Sequence, residues 1–181
     1  MAVKKWWRLT PRQIAQLDKD KTLFIFPLGT IGSLDDGTAV WADYRAVEDD
    51  AQRVAETIDS ADEGPLVGLQ AVLLLPLWPG VEPGPDQPGT LALPQATYAG
   101  VVEATCSSLK RQGVRFLLLV VRDEGVEAAA GAVAQGLNQG QPRPWVAVYN
   151  ALRKPPPASM GGDVCRKVCQ LLGCNPANCP P

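Results

Sequence analysis

Histidine is absent from this sequence. Imidazole is the commonest neutral metal ligand and the commonest general base near neutral pH. Its absence closes every Ser-His and Cys-His nucleophile and most routes to zinc hydrolysis. Long apolar runs are missing too, and none approaches the length of a membrane span. There is no excess of positive charge: 17 Lys and Arg face 19 Asp and Glu, for a net charge of -2. Nothing here draws a polyanion, so nucleic acid is disfavoured as a partner. A glycine-rich phosphate loop is lacking, because Gly161-Gly162 has the spacing of neither nucleotide fingerprint. No internal repeat is found. The N-terminus is basic, but Trp6-Trp7-Arg8 leads into polar residues rather than an apolar core. No signal peptide is expected, and a cytoplasmic location follows. The five cysteines form no disulfide framework spread over a secreted fold: Cys106 stands alone, and Cys165, Cys169, Cys174 and Cys179 crowd the end.

What is present suits an ordinary globular domain. Apolar residues make up 46% and charged residues 20% of the 181. One domain over 1–181 is expected, with an N-terminal arm at 1–10 and a Pro/Cys-rich segment at 155–181. In the arm, Lys4, Lys5 and Arg8 surround Trp6 and Trp7. Three cations give weak membrane attraction, so packing of the two indoles on the domain or on a neighbouring subunit is the favoured reading. Thr10-Pro11-Arg12-Gln13 is a helix start: Thr10 caps, Pro11 takes the first helical position and Gln13 closes a capping box. Apolar runs predict strands near 22–28, 70–76, 114–121 and 145–149. Between them, Val47, Ala51, Val54, Ala55 and Ile58 recur at helical spacing and predict a helix over about 44–59. Tyr98, Val101, Val102, Thr105 and Leu109 mark the next helix. An Ala-rich helix is expected over about 126–137 and a short last one from Asp163 to Leu172. Pro79 to Pro88, crowded with Pro and Gly, reads as a loop.

Apolar, non-alternating strands that alternate with helices predict an α/β three-layer sandwich, a mostly parallel sheet with helices on both faces. Sites in such sheets form in loops at the carboxyl ends of the strands. Here those are residues 29–43, 76–90, 122–126 and 150–163.

Those loops carry a resemblance. The first strand ends Pro27-Leu28-Gly29-Thr30-Ile31-Gly32-Ser33-Leu34, followed by Val40-Trp41-Ala42-Asp43 and a helix. Downstream come Pro88-Gly89-Thr90-Leu91-Ala92-Leu93-Pro94 and another helix. The third strand ends Val121-Arg122-Asp123-Glu124-Gly125-Val126, and Gly161-Gly162-Asp163-Val164-Cys165 opens the last helix. In order and spacing this resembles the creatininase family. The corresponding family stretches are P-x-G-[ST]-x-E-Q-H-G, L-x-x-G-T-D, P-G-T-I-x-L, N-G-H-x-x-N and A-G-x-x-E-T-S. The family includes creatinine amidohydrolases, a formamide deformylase and a peptidase. The chain is shorter than is usual there, and the deficit falls after the fourth strand.

The resemblance implies two divalent metals held by carboxylates and histidines. Position by position, the first glutamate is Gly32 here and the first histidine is Leu34. The bridging aspartate is Asp43, retained. The histidine after the third strand is Asp123, and the next polar ligand falls at Gly125, with Glu124 beside it. Gly32 and Leu34 offer no donor. Asp35, Asp36, Asp123, Glu124 and Asp163 are candidates to be borrowed around Asp43. An all-carboxylate site would favour Mg²⁺, Mn²⁺ or Ca²⁺ over zinc. The competing reading leaves these acids solvated, with Asp43 capping its helix.

The terminal cysteines are spaced C-x3-C-x4-C-x4-C. Four thiolates can hold zinc or an iron–sulfur cluster. Alternatively Cys165 and Cys169, one helical turn apart, pack as small apolar residues. Gly161-Gly162 before a Cys-rich end is also the pattern of a processed peptide, although a family-like helix explains the same residues.

Two functions remain. The first is a creatininase-like domain with a degenerate metal site, non-catalytic or repurposed for ligand binding or assembly, with no cofactor. The alternative is an amidohydrolase cleaving a C–N amide bond at a rebuilt carboxylate site, with Asp43 and Asp123 as ligands, Glu124 as base and a divalent cation (Mg, Mn or Zn). Family resemblance implies ring-like hexamers, so a homo-oligomer is expected. Trp6, Trp7, Trp41 and Trp78 fit that, because tryptophan in terminal or loop segments is enriched at interfaces.

Overall fold

The computed structural model describes residues 3–31, 39, 41–62, 64–81, 89–152, 160–175, 177 and 179. In chain order the elements are β1 (Lys4–Lys5), α1 (Pro11–Ala15), β2 (Thr22–Leu28), α2 (Ala42–Asp59), β3 (Gln70–Leu73) and β4 (Gly80–Val81). There follow β5 (Ala92–Leu93), α3 (Gln95–Arg111), β6 (Phe116–Val121), α4 (Glu124–Asn138), β7 (Val146–Asn150) and α5 (Met160–Leu172). The main sheet runs β1-β3-β2-β6-β7, and every pairing in it is parallel.

Apart from Thr22 and Gln70 at their starts, the central strands are apolar because both faces of the sheet are covered. In β2 all seven residues are buried. Side chains of a strand alternate between faces. Phe24, Phe26 and Leu28 therefore join Leu117, Leu119 and Val121 of β6 under α3 and α4. Leu23 and Ile25 join Leu118, Val120 and Tyr149 under α2 and α5. The α2 stripe of Val47, Ala51, Val54, Ala55 and Ile58 is buried as its spacing predicts. The α/β three-layer sandwich with a parallel sheet is the observed fold.

Several boundaries move. The strand expected over 70–76 ends at Leu73, after which Leu77 bridges to Leu28. Strands expected to start at 114 and 145 start at Phe116 and Val146. The stretch read as loop from Pro79 contains a strand: Gly80–Val81 pairs with Ala92–Leu93 in a separate parallel ladder, with residues 82–88 outside the described set. The N-terminal arm is partly sheet, since Lys4 lies opposite Val72 at the β3 edge. Trp6 meets Phe24 edge-on, with ring centroids 5.8 Å apart, whereas Trp7 stays on the surface. Thr10 and Gln13 close the expected capping box on α1. No helix among the described residues is long and apolar enough to cross a membrane.

Candidate functional site

Parallel strands place the N-termini of α2, α4 and α5 along one edge of the sheet, at the carboxyl ends of β2, β6 and β7. Two glycines draw that edge together. A Cβ on Gly29 would lie 2.9 Å from Val47 Cγ1 and 3.3 Å from Tyr44 Cα, so only glycine lets α2 close on the end of β2. A Cβ on Gly80 would lie 2.5 Å from the Thr30 side chain. Backbone bonds then lace the edge: Gly29 N to Leu77 O (2.9 Å), Ile31 N to Trp78 O (3.2 Å), Leu91 N to Ile31 O (2.8 Å) and Gly80 N to Leu91 O (3.2 Å).

Asp43 is not the cap that was expected. The N-cap of α2 is Trp41, which offers no side-chain acceptor, and Asp43 is the second helical residue. Its carboxylate still sits in the first turn, where the positive end of the helix favours an anion. Asp123 is the residue that caps. Its Oδ1 accepts from Val126 N at 2.8 Å, at the start of α4. Glu124 and Gly125 are the first two residues of that helix, and both are exposed. A Cβ on Gly125 would lie 3.1 Å from Asp123 Oδ1. Gly32, Leu34, Asp35 and Asp36 lie outside the described residues.

The edge also carries unsatisfied hydroxyls. Thr30 Oγ1, Thr90 Oγ1 and Tyr98 OH are buried with no hydrogen-bond partner among the described residues. Tyr98 is fully buried on α3, and burial first, then the charge of Asp123, pushes its phenol well above the usual range. Buried polar atoms of this kind are groups that a water or a small ligand satisfies.

A second polar cluster was missed from the sequence. Asp50 of α2 is only 5% exposed at its side chain, and its Oδ2 accepts from Arg122 NH1 at 2.6 Å. Arg53 adds a second contact at 3.3 Å. Tyr149, buried on β7, is pushed up to about 12 by burial and by the charges of Asp163 and Asp50. Asp163, itself buried on α5, pairs with Arg166. The signal was available: Asp50 falls on the Val47-Ala51-Val54 stripe, so a carboxylate had to be buried there and needed a cation.

The terminal cysteines converge. Cys165, Cys169 and Cys179 place their sulfurs within 4.8 Å of one another. Among the described residues, no other group of three His, Cys, Asp or Glu side chains brings its donor atoms so close. Two shallow grooves, of about 470 and 660 Å³, follow β7 and the outer face of α4, and neither is lined by Asp43, Asp123 or Glu124.

A parallel three-layer domain with its candidate residues on the carboxyl edge is the architecture that the loop motifs foreshadow. The family model described as creatininase, creatinine amidohydrolase, matches residues 7–167, and the chain belongs to that family. No curated protein matches it. Among solved structures, a creatininase variant complexed with creatine is 19% identical, with a TM-score of 0.66 over 87% of this chain and 62% of its own. A creatinine amidohydrolase is 22% identical, with a TM-score of 0.64 over 83% of this chain and 58% of its own. A putative creatinine amidohydrolase from Bacteroides fragilis is 19% identical, with a TM-score of 0.63 over 83% and 56%. This chain therefore spans about three-fifths of the length of these structures. Related creatininases were solved in a Zn–Zn form and with Mn.

Proposed function

We propose that this chain is a creatininase-family domain whose dinuclear metal chemistry has been lost, and that its carboxyl edge now serves binding and assembly. The observation that carries this is the role of Asp123. The position where the resemblance expects a histidine ligand holds a carboxylate whose Oδ1 caps α4, at 2.8 Å from Val126 N. The donor set agrees. Gly32, Leu34 and Gly125 have no side-chain donor, and a pair of divalent ions needs several donors at fixed distances. The residues present do not fit the family's metal pair.

The same edge supports an interaction role. Trp41, Leu75, Trp78 and Leu91 are each at least half exposed there. Trp78 and Leu91 are tied to one another through Ile31. Exposed tryptophan flanked by apolar residues is characteristic of contact surfaces, and a second copy of this chain is the partner that the family resemblance favours. Thr30, Thr90 and Tyr98 supply hydroxyls for a small polar ligand. Five unpaired cysteines suit a reducing, cytoplasmic setting.

The rebuilt-carboxylate amidohydrolase is the second reading. It is favoured by one fact, that Asp43, Asp123 and Glu124 all lie at helix N-termini on the same edge. One experiment separates the two. Purified protein is melted with and without Mg²⁺ or Mn²⁺ and assayed for amide hydrolysis. The non-catalytic domain gives unchanged melting and no turnover. A rise in melting temperature that Asp43→Asn abolishes, together with metal-dependent turnover, would establish the enzyme instead. Light scattering tests assembly: a mass above the monomer that falls in Trp78→Glu supports it, and a monomeric wild type refutes it.

A further inference from the structure

Cys165 and Cys169 stand four residues apart on α5, so helical geometry puts both thiols on one face, one turn apart. That face is turned inward: the two residues are 1% and 0% exposed, packed with Tyr149, Val164 and Val168. The chain then reverses. Gly173 follows α5 with φ +68°, a conformation that glycine alone adopts without strain, and Cys174 N bonds back to Cys169 O at 3.1 Å. This is a Schellman closure of the helix. Arg143 NH1 caps the freed Leu172 carbonyl at 3.3 Å. Beyond that turn, Cys179 Sγ lies 3.4 Å from Cys169 Sγ. Cys174 Sγ lies against the Cys169 carbonyl at 3.7 Å, beside the same group.

We propose that Cys165, Cys169, Cys174 and Cys179 form a structural zinc site that pins the C-terminal tail to α5. The spacing of the sulfurs fits the ion. Zinc binds thiolates at about 2.3 Å, so a tetrahedron of four sulfurs has edges of about 3.8 Å. Three sulfurs are already within 4.8 Å of one another, and Cys174 Sγ lies beside them, 3.7 Å from the Cys169 carbonyl. Packing alone does not call for this. Cys165 and Cys169 need no partner as small apolar residues, but Cys179 lies in the irregular tail and is brought to them by the turn at Gly173. A zinc ion with four thiolates carries two surplus negative charges, and Arg166 stands next to Cys165 on the helix, paired with Asp163. Lys167 follows it on the helix. Chemically, soft thiolates in a closed tetrahedral set select zinc over the hard cations of a carboxylate site. The proposal is independent of what occurs at Asp43 and Asp123.

The 181-residue protein, purified under reducing conditions, is analysed for metal and thiol content. One zinc per chain is expected, lost in Cys169→Ser and in Cys179→Ser but kept in Cys106→Ala, whose thiol lies buried on the other face of the sheet. Because a buried serine at 169 can compromise folding, wild-type protein is also stripped of metal and reconstituted with Co²⁺. A tetrahedral thiolate spectrum is expected, with a sulfur-to-cobalt band that weakens in Cys174→Ser in proportion to the thiolate lost. Absence of both bound zinc and the cobalt spectrum would overturn the site. So would a disulfide between Cys169 and Cys179 in protein isolated without reductant, or iron with acid-labile sulfide in place of zinc.

Discussion

Replacing Asp123 separates a helix cap from a metal ligand, because the two roles respond differently to asparagine. Asp123 Oδ1 accepts the Val126 amide at 2.8 Å, and the Val126 residue behind it is fully buried. Asp123→Ala leaves that amide without its acceptor. Loss of an N-cap costs about 1 kcal/mol, and the restricted access of water to this amide moves the expectation to about 1–2 kcal/mol. Asp123→Asn keeps a good acceptor and loses only the favourable charge at the helix start, so about 0.5 kcal/mol is expected. Gly125 sharpens the comparison. Alanine there gains roughly 1 kcal/mol of helix propensity. Its Cβ would, however, sit 3.1 Å from Asp123 Oδ1 and push the cap aside, so Gly125→Ala should change stability little. Urea unfolding of the four proteins, with and without Mn²⁺, measures all of this. An Asp123→Asn loss as large as that of alanine, or a Mn²⁺ stabilisation present in wild type and absent in Asp123→Asn, would refute the capping argument and restore Asp123 as a ligand.

Three other outcomes are expected. Arg122→Met should destabilise by about 2–3 kcal/mol in urea, because the buried Asp50 carboxylate loses its 2.6 Å partner and keeps the longer contact to Arg53. The double variant Asp50→Leu with Arg122→Met should recover most of that loss, and a double-mutant cycle reports the coupling. Tyr149, raised from 10.0 to about 12, binds its proton more tightly when folded, so its contribution is complete below pH 10 and fades as pH rises toward 12. The urea midpoint of wild type should fall across that range, and Tyr149→Phe should flatten this part of the decline at no cost near neutral pH, since the hydroxyl has no partner. Gly173→Ala should cost about 1 kcal/mol for its left-handed backbone. It would also set a Cβ 3.1 Å from Arg143 Nε, and the checks are a lower thermal midpoint and less zinc retained per chain.

Much of the architecture was written in local pattern. Seven consecutive apolar or neutral residues at Thr22–Leu28 have no polar face, so a strand there had to be covered on both sides. The Val47-to-Ile58 spacing fixed the buried face of α2, and Thr10 with Gln13 fixed the start of α1. Absent histidine, together with glycine and leucine at ligand positions, already argued against the family's metal pair, because no fold supplies a donor that the side chain lacks. Tertiary structure decided what the remaining polar groups do. Whether Asp43 or Asp123 caps a helix depends on the residue at which the backbone turns helical: after Trp41 in α2 and after Asp123 in α4. The pairing of Asp50 with Arg122 joins residues 72 apart in sequence, so no local window contains it. Likewise the C-x3-C-x4-C-x4-C spacing does not by itself bring the sulfurs together, since Cys179 meets Cys169 only beyond the end of α5 at Gly173. Local periodicity is a property of neighbouring residues and survives in the sequence. Contacts that close across a helix end or between strands are set by where whole elements dock, and only the folded chain specifies them.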